Sequence, residues 1–353
     1  MNRQKMKHYE IDGKPDILSL TLPELEEQIT LMGEKKFRAR QVYEWLHVKQ
    51  VTGFDEMTNL SAQLRNKLAE RFCLNSLFIV KKLASNTDNT LKYLYRLYDG
   101  NHIESVVMEY NHGTSLCVST QVGCKMGCNF CASTIAGFKR NLLPSEILLQ
   151  VYEAQRDSGR KISSIVLMGI GEPLDNFDNV IRFFELISSP DGMNLSLRHI
   201  SLSTCGVVPK IYELAKLRLG VTLSISLHAT SNEQRSATMP INNKYDINEL
   251  IKACKDYFKE TGRRISFEYA VIEGVNDSKD DALRLKKLLS GLMCHINLIP
   301  VNKIDERDYT SSKKSTLSFQ KYLTDLGLNA TVRRTLGADI NAACGQLRRE
   351  YEI

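Results

Sequence analysis

The chain has one tryptophan and only eight prolines in 353 residues. No apolar run reaches the roughly eighteen residues that a membrane-spanning helix needs. Collagen-like, proline-rich disordered and transmembrane classes are therefore excluded. Neither a short repeat nor a low-complexity tract occurs, which excludes a solenoid. The first residues, MNRQKMKHYEIDGKP, turn polar where a signal peptide turns apolar, so the expected location is the cytoplasm, with no membrane partner. Neither sign of charge dominates: 47 Lys and Arg face 41 Asp and Glu, a net +6. That balance suits a nucleic-acid partner and equally suits many enzymes of small substrates. The nine cysteines are an odd number, and they include neither a second CxxC nor an HxxxH pair beside them. In a reducing compartment, thiolate chemistry is then a better reading than disulfide stapling.

At this length about two domains are expected. The stretches LPELEEQITLMG (from Leu22), FRARQVYEWLHVK (from Phe37) and LSAQLRNKLAERF (from Leu60) space apolar residues as helices do. From Leu77 the pattern becomes β-like in LFIVKKL, TLKYLYRLYDG and HIESVVMEY, with a turn at Asp99-Gly100. This suggests a helical amino-terminal part with its linker over 1–89 and a second domain over 90–353. Beyond it, strands beginning at Ser115, Ile162, His199, Val221, Ile265 and His295, with a further candidate at Asn329, alternate with amphipathic helices such as PSEILLQVYEAQ (from Pro144) and INELIKACKDYFKE (from Ile247). Such alternation predicts an α/β fold with a parallel sheet, as a complete or partial barrel or an open sheet. The unusual residues fall at strand carboxyl ends, the face where barrel enzymes build active sites.

The sharpest local signal is Cys124-Lys-Met-Gly-Cys128-Asn-Phe-Cys131 after the first of these strands. Thiolates this close suit a soft metal. Structural zinc lacks its fourth ligand here, and a redox CxxC leaves Cys124 unexplained. A four-iron cluster held by three thiolates keeps one iron open, where the amino and carboxylate groups of S-adenosylmethionine can bind and be cleaved reductively.

At this point the sequence resembles the radical S-adenosylmethionine superfamily, with its partial (β/α)6 barrel, and within it the RlmN/Cfr family of RNA adenine methylases. The resemblance rests on QVGCKMGCNFCASTIAGFKRNL (from Gln121), MGIGEPLDNFDNV (from Met168), LSTCGVVP (from Leu202), SLHA (from Ser226), RRTLGADINAACGQL (from Arg333) and FRARQVYEWLH (from Phe37), in order and over essentially the whole chain. Val122, Pro173 and the Cys-Ala-Ser-Thr run at Cys131 are similar to the RlmN branch; the alternative is a Cfr-type carbon-8 methylase.

The resemblance implies that two S-adenosylmethionine molecules are used per turnover. One methylates Cys344, and the second, at the open iron of a [4Fe-4S] cluster on Cys124, Cys128 and Cys131, gives an adenosyl radical that activates this methyl group for attack on carbon 2 of adenine. It also implies that Cys117 releases the RNA by forming a transient disulfide with Cys344, that Glu104 accepts the ring proton and that Met168 lines the radical site. Gly171, Glu172, Ser203, Ser226, Leu227, His228 and Asn302 are the implied contacts to S-adenosylmethionine. The implied substrates are adenosine 2503 of 23S rRNA and adenosine 37 of some tRNAs. The implied reductant is a flavodoxin or ferredoxin, and the expected state is a monomer.

Each residue has a plainer reading. Alone, Cys344 and Cys117 look like buried inert thiols, Met168 like packing, Glu104 like a solvated carboxylate and His228 like a satisfied core histidine. Lys139-Arg140, Arg333-Arg334 and Arg348-Arg349 read as solvated surface, or as phosphate contacts if RNA binds. The amino-terminal part mixes both signs of charge, so composition does not mark it as an RNA-binding module. A non-catalytic RNA-binding protein with a structural metal is the competing class.

Overall fold

The computed structural model describes residues 9–135, 137–300, 312–340 and 342. Helices α1 (Leu22–Leu31), α2 (Phe37–His47) and α3 (Ala62–Arg71) form the amino-terminal part. Thr21 and Glu24 start α1: the Thr21 N–H donates to the Glu24 carboxylate at 2.8 Å, as a capping residue should. Ser61 starts α3 by accepting the Leu64 N–H at 3.2 Å.

Ten strands follow in one sheet: β1 (Phe78–Ala84), β2 (Leu91–Arg96), β3 (His102–Tyr110), β4 (Gly113–Cys117), β5 (Ile162–Leu167), β6 (Ile200–Thr204), β7 (Thr222–Ser226), β8 (Ile265–Val271), β9 (Cys294–Pro300) and β10 (Ala330–Val332). Their spatial order is their chain order. The first four form an antiparallel meander and β4 to β10 pair in parallel. Helices lie between the parallel strands, among them α4 (Pro144–Ser158), α5 (Phe177–Ile187), α6 (Val208–Lys216), α7 (Asn232–Thr238), α8 (Ile247–Thr261), α9 (Lys279–Leu288) and α10 (Lys313–Asp325). This is an α/β architecture, a mostly parallel sheet preceded by a helical part, as the alternation of strands and helices predicts. The candidate strand near Asn329 is β10. The β-rich extension continues the barrel sheet directly, because β3 pairs with β4. The expected division near residue 90 falls in the loop joining β1 to β2.

One apolar core runs from Leu25 and Leu46 of the helical part through Ile165, Leu223 and Phe267 of the sheet to Phe319 of α10. Each such fully buried side chain contributes about 1.5–3 kcal/mol. Polar clamps fix the helical part in place. Arg182 of α5 grips both oxygens of Glu24 at 2.7 and 2.9 Å. Asp16, wholly buried, accepts from Ser19 Oγ at 2.6 Å, and Ser19 Oγ accepts the Ser145 N–H at the start of α4. His47 Nδ1 meets the Tyr152 hydroxyl of α4 at 3.0 Å. No helix among the described residues is long and apolar enough to cross a membrane.

Burial pushes the Asp16 carboxyl up to about 6, against hydrogen bonds from Ser145, Ser19 and Leu18 that pull it down. A folded-state value above the unfolded one means that the native state holds an extra proton between about pH 6 and pH 4; this stability is present at low pH and lost as pH rises through 6. In urea denaturation the native protein should therefore gain about 2 to 3 kcal/mol over Asp16→Asn between pH 7 and pH 4. A difference that does not change with pH contradicts the junction chemistry.

Candidate active site

The cysteine loop leaves a two-residue strand, Gln121–Val122, and is pinned at both ends. At its base Gly123 has φ +79°, and a Cβ there would sit 1.6 Å from the Gly137 carbonyl oxygen, so only glycine closes the loop. Further along, the Asn129 N–H and side-chain amide donate to the carbonyls of Thr238 and Ala237 in α7 at 2.8 and 2.6 Å. Thr134 Oγ1 donates to the Cys131 carbonyl at 2.9 Å.

Cys124, Cys128 and Cys131 line a cavity of about 300 Å³ at the carboxyl ends of the strands. Gly171, Glu172, Ser203, Ser226 and His228 line the same cavity. Gly171, at φ +106°, lies so close to Gln121 that a Cβ would approach its side chain at 2.5 Å. Glu172 is buried, and its two oxygens accept the N–H groups of Leu174 at 3.0 Å and Cys205 at 2.7 Å. Burial raises its carboxyl above the ordinary range while these hydrogen bonds oppose the rise. Ser203 and Ser226 hydroxyls meet at 3.4 Å. His228 Nδ1 accepts the Ala270 N–H at 2.9 Å, so the proton of the neutral ring sits on Nε2. Burial, aided by Arg235, lowers its pKa to about 3 and keeps it neutral. Its left-handed backbone, φ 57°, is held by Asn276, whose amide donates to the His228 carbonyl at 2.8 Å. Histidine here is both a satisfied core group and a cavity wall.

A second cavity of about 250 Å³ adjoins the first, and Met168, Gly169, Ile299, Pro300 and Arg333 line both. Its walls include Glu104 and Cys117. The meander sets this meeting: Val106 of β3 pairs with Cys117 of β4, so Glu104 lies diagonally across from Cys117 on the same sheet face. Next door, Cys117 pairs with Val166 of β5, and Met168 follows one pleat beyond. Burial pushes the Cys117 thiol up to about 11, with Arg333 pulling it down and Glu104 adding to the rise.

Leu227 departs from the other implied contacts. It belongs to the apolar core rather than to either cavity wall, because strand alternation turns it away from Ser226 and His228. Any contact it makes to a ligand in the cavity must come from its backbone. Asn302 and Cys344 lie outside the described residues. Sequence reasoning also passed over three groups. Glu268 of β8 is a buried carboxylate in the first cavity, hydrogen-bonded by Asn297 at 2.7 Å. Wholly buried Arg235 donates to the carbonyls of Cys205, Ser226 and Leu227, tying β6 to β7. Lys92 pairs with Glu104 at 3.1 Å. For Glu268 and Lys92 the available signal was a charge within an apolar run, in ISFEYAVI and TLKYLYRL; the polar stretch SNEQRSAT around Arg235 carried none.

The donor set fits an iron-sulfur cluster. Burial pushes the Cys124 thiol up to about 12 and raises Cys128 further, and in both cases a neighbouring thiolate adds to the rise. Three thiolates on one cavity wall need positive charge among them. No group of three or more His, Cys, Asp or Glu among the described residues is arranged around a single ion. All three thiols line the first cavity, which is where a polynuclear iron core shared among them would sit.

Comparison with known proteins agrees. Residues 15–74 match the ribosomal RNA large subunit methyltransferase N-terminal domain and residues 118–285 match the radical SAM superfamily. The chain is 52% identical over 345 residues to a probable dual-specificity RNA methyltransferase RlmN of Lachnoclostridium phytofermentans, covering 97% of this chain and 96% of the relative. A protein of the same name from Alkaliphilus oremlandii is 55% identical over 339 residues, with 96% and 98% coverage. The crystal structure of a radical SAM methyltransferase from Sphaerobacter thermophilus superposes with a TM-score of 0.89 at 42% identity, over 94% of this chain and 98% of that one. The chain belongs to the RlmN family of radical S-adenosylmethionine methyltransferases. Membership in the radical SAM superfamily implies a [4Fe-4S] cluster and S-adenosylmethionine as cofactors.

Glu172→Ala leaves the N–H groups of Leu174 and Cys205 buried without an acceptor, at about 1–3 kcal/mol each. Chemical denaturation should show a loss of about 2 to 5 kcal/mol for this variant and a smaller one for Glu172→Gln, whose amide oxygen still accepts. Equal stability of Glu172→Ala and the parent contradicts the assigned hydrogen bonds.

Proposed function

We propose that this enzyme methylates carbon 2 of adenine in RNA, at adenosine 2503 of 23S rRNA and adenosine 37 of certain tRNAs, through a methylated Cys344 and a transient Cys117–Cys344 disulfide. The observation that carries the reading is the shared wall: Glu104, Cys117 and Met168 line one cavity that opens onto the cysteine cavity through Met168, Gly169 and Arg333. When bound, the [4Fe-4S] cluster and two molecules of S-adenosylmethionine supply the methyl group and the radical that activates it. Cys124, Cys128 and Cys131 hold the cluster. Glu172 with Gly171, the Ser203 and Ser226 hydroxyls, neutral His228, the Leu227 backbone and Asn302 receive the amino acid and nucleoside ends of S-adenosylmethionine.

Ala342 lines the second cavity and stands two residues ahead of Cys344 in the chain. That closeness in the chain supports Cys344 as the partner of Cys117. Once RNA is joined to Cys344 through a methylene, Glu104 takes the ring proton. Cys117 then gives up its thiol proton and attacks Cys344 sulfur; the methylene–sulfur bond breaks with its electron pair passing to the methylene carbon, which takes up a proton to become the methyl group, and the disulfide is reduced before the next turnover. Arg333 and Arg334 stand at the second cavity, placed to meet phosphates while the target base enters unstacked.

In this reading residues 1–89 form the accessory part and linker that grip RNA, and residues 90–353 form the barrel with its extensions. A cytoplasmic monomer reduced by flavodoxin or ferredoxin fits the family. The match of residues 15–74 to a ribosomal RNA methyltransferase domain supports the RNA assignment.

Anaerobic reaction with a tRNA and a 23S rRNA fragment, followed by mass-spectrometric mapping, should place the methyl group on carbon 2 of adenine. A product only at carbon 8 identifies the Cfr-type activity instead. Peptide mass analysis should find Cys344 methylated in cluster-loaded protein, and Cys117→Ala should leave RNA covalently attached. Because Cys117 is a neutral thiol at pH 7, RNA release should quicken as pH rises from 7 to 9. Normal turnover by Cys117→Ala contradicts the release step.

A further inference from the structure

Strand β2 is buried from Leu91 through Tyr95, and Lys92 sits within that run at 0% exposure. A lysine there is costly. Removing an ammonium from water carries a penalty of several kcal/mol, and a well-packed apolar residue in its place is often as stable or more so. Stability therefore does not account for this side chain, and its position does. Leu94 of β2 pairs with Glu104 of β3, which puts Lys92 one pleat away on the same face. Its Nζ lies 3.1 Å from Glu104 Oε2, and the carboxylate is itself only 3% exposed. Glu104 lines the second cavity and Lys92 does not, so the ammonium stands behind the carboxylate. The strand holding Glu104 is fixed too: Ser119 Oγ donates to the Glu104 carbonyl at 2.7 Å and accepts the Ile170 N–H at 3.0 Å, which locks it to the end of β5 beside Gly171.

We propose that Lys92 is a positioning residue whose ammonium holds the Glu104 carboxylate aimed into the cavity, ready to take a proton from the bound adenine ring. The proposal rests on the reading of Glu104 as the proton acceptor. A general base acts only from within hydrogen-bond reach of the proton that it takes, and an ion pair from behind fixes where the carboxylate oxygens sit. In the step itself the ring carbon–hydrogen bond breaks, its electron pair stays in the ring, and the proton forms an O–H bond on Glu104. Lys92 keeps its own protons throughout.

The test uses full-length, cluster-loaded enzyme in a Cys117→Ala background, where thiol attack is absent and the adduct stays on the protein. With RNA deuterated at carbon 2 of the target adenine, the mass of the stranded adduct reads loss of the ring label directly. Lys92→Met and Lys92→Gln should form the adduct but lose the label about 100-fold more slowly at pH 7, the size of one general-base contribution. Lys92→Arg should match the parent, and Glu104→Gln should be slow at every pH. If Lys92→Met does not fold, Lys92→Gln, which keeps a hydrogen-bond donor and removes the charge, decides alone. Label loss at the parental rate in the Lys92 variants overturns the proposal while leaving Glu104 as the base, provided that Glu104→Gln is slow. Parental loss in Glu104→Gln as well overturns both. Cluster-loaded Lys92 variants that form no adduct also overturn the proposal, because a role confined to proton removal leaves radical addition intact.

Discussion

Three thiols on one cavity wall, two of them buried, are the constraint around which the rest of this molecule is arranged. Two of them are pushed strongly toward the protonated form by burial and by a neighbouring thiolate. They ionise together only when a compensating positive core sits among them. Everything near the loop serves to hold that awkward set still. Gly123 closes its base, α7 clamps its middle through Asn129, and Arg235 ties together the strand ends that face it. The apolar core extending into the helical part then makes the clamp rigid.

The second organising feature is register. Parallel strands β4 and β5 bring Cys117 beside the Met168 region, and the antiparallel meander brings Glu104 and Lys92 to the same face. A slip of one residue in the pairing of β3 with β4 would turn Glu104 away from Cys117 and break the wall. Placing the meander in the same sheet as the barrel therefore has a chemical consequence. It gives the cavity an ion-paired carboxylate that the parallel strands alone do not supply.

Much of this was legible in the sequence, for physical reasons that differ between elements. The cysteine spacing is local, so one loop displays it. Buried parallel strands read as apolar runs, and the strand-end residues Gly171, Ser203, Ser226 and His228 meet because the fold makes all those ends share one face. Strand alternation explains why Leu227, named alongside its neighbours, has its side chain in the core. What the sequence did not show depends on pairing between distant segments. Lys92 reads as an ordinary surface charge until β2 is known to be buried. Arg333 reads as solvated surface until two cavities are seen to share it. The continuity of the meander with the barrel likewise follows from pairing and not from composition.

The most direct measurement is iron and acid-labile sulfide analysis of anaerobically prepared full-length protein, with electron paramagnetic resonance spectra taken before and after S-adenosylmethionine is added. The account predicts about four iron and four sulfide per chain. It also predicts a reduced-cluster spectrum that changes on addition of S-adenosylmethionine, and loss of iron and sulfide when Cys124, Cys128 and Cys131 are replaced by alanine. Zinc without sulfide, or a cluster retained at full content after those three replacements, would contradict it.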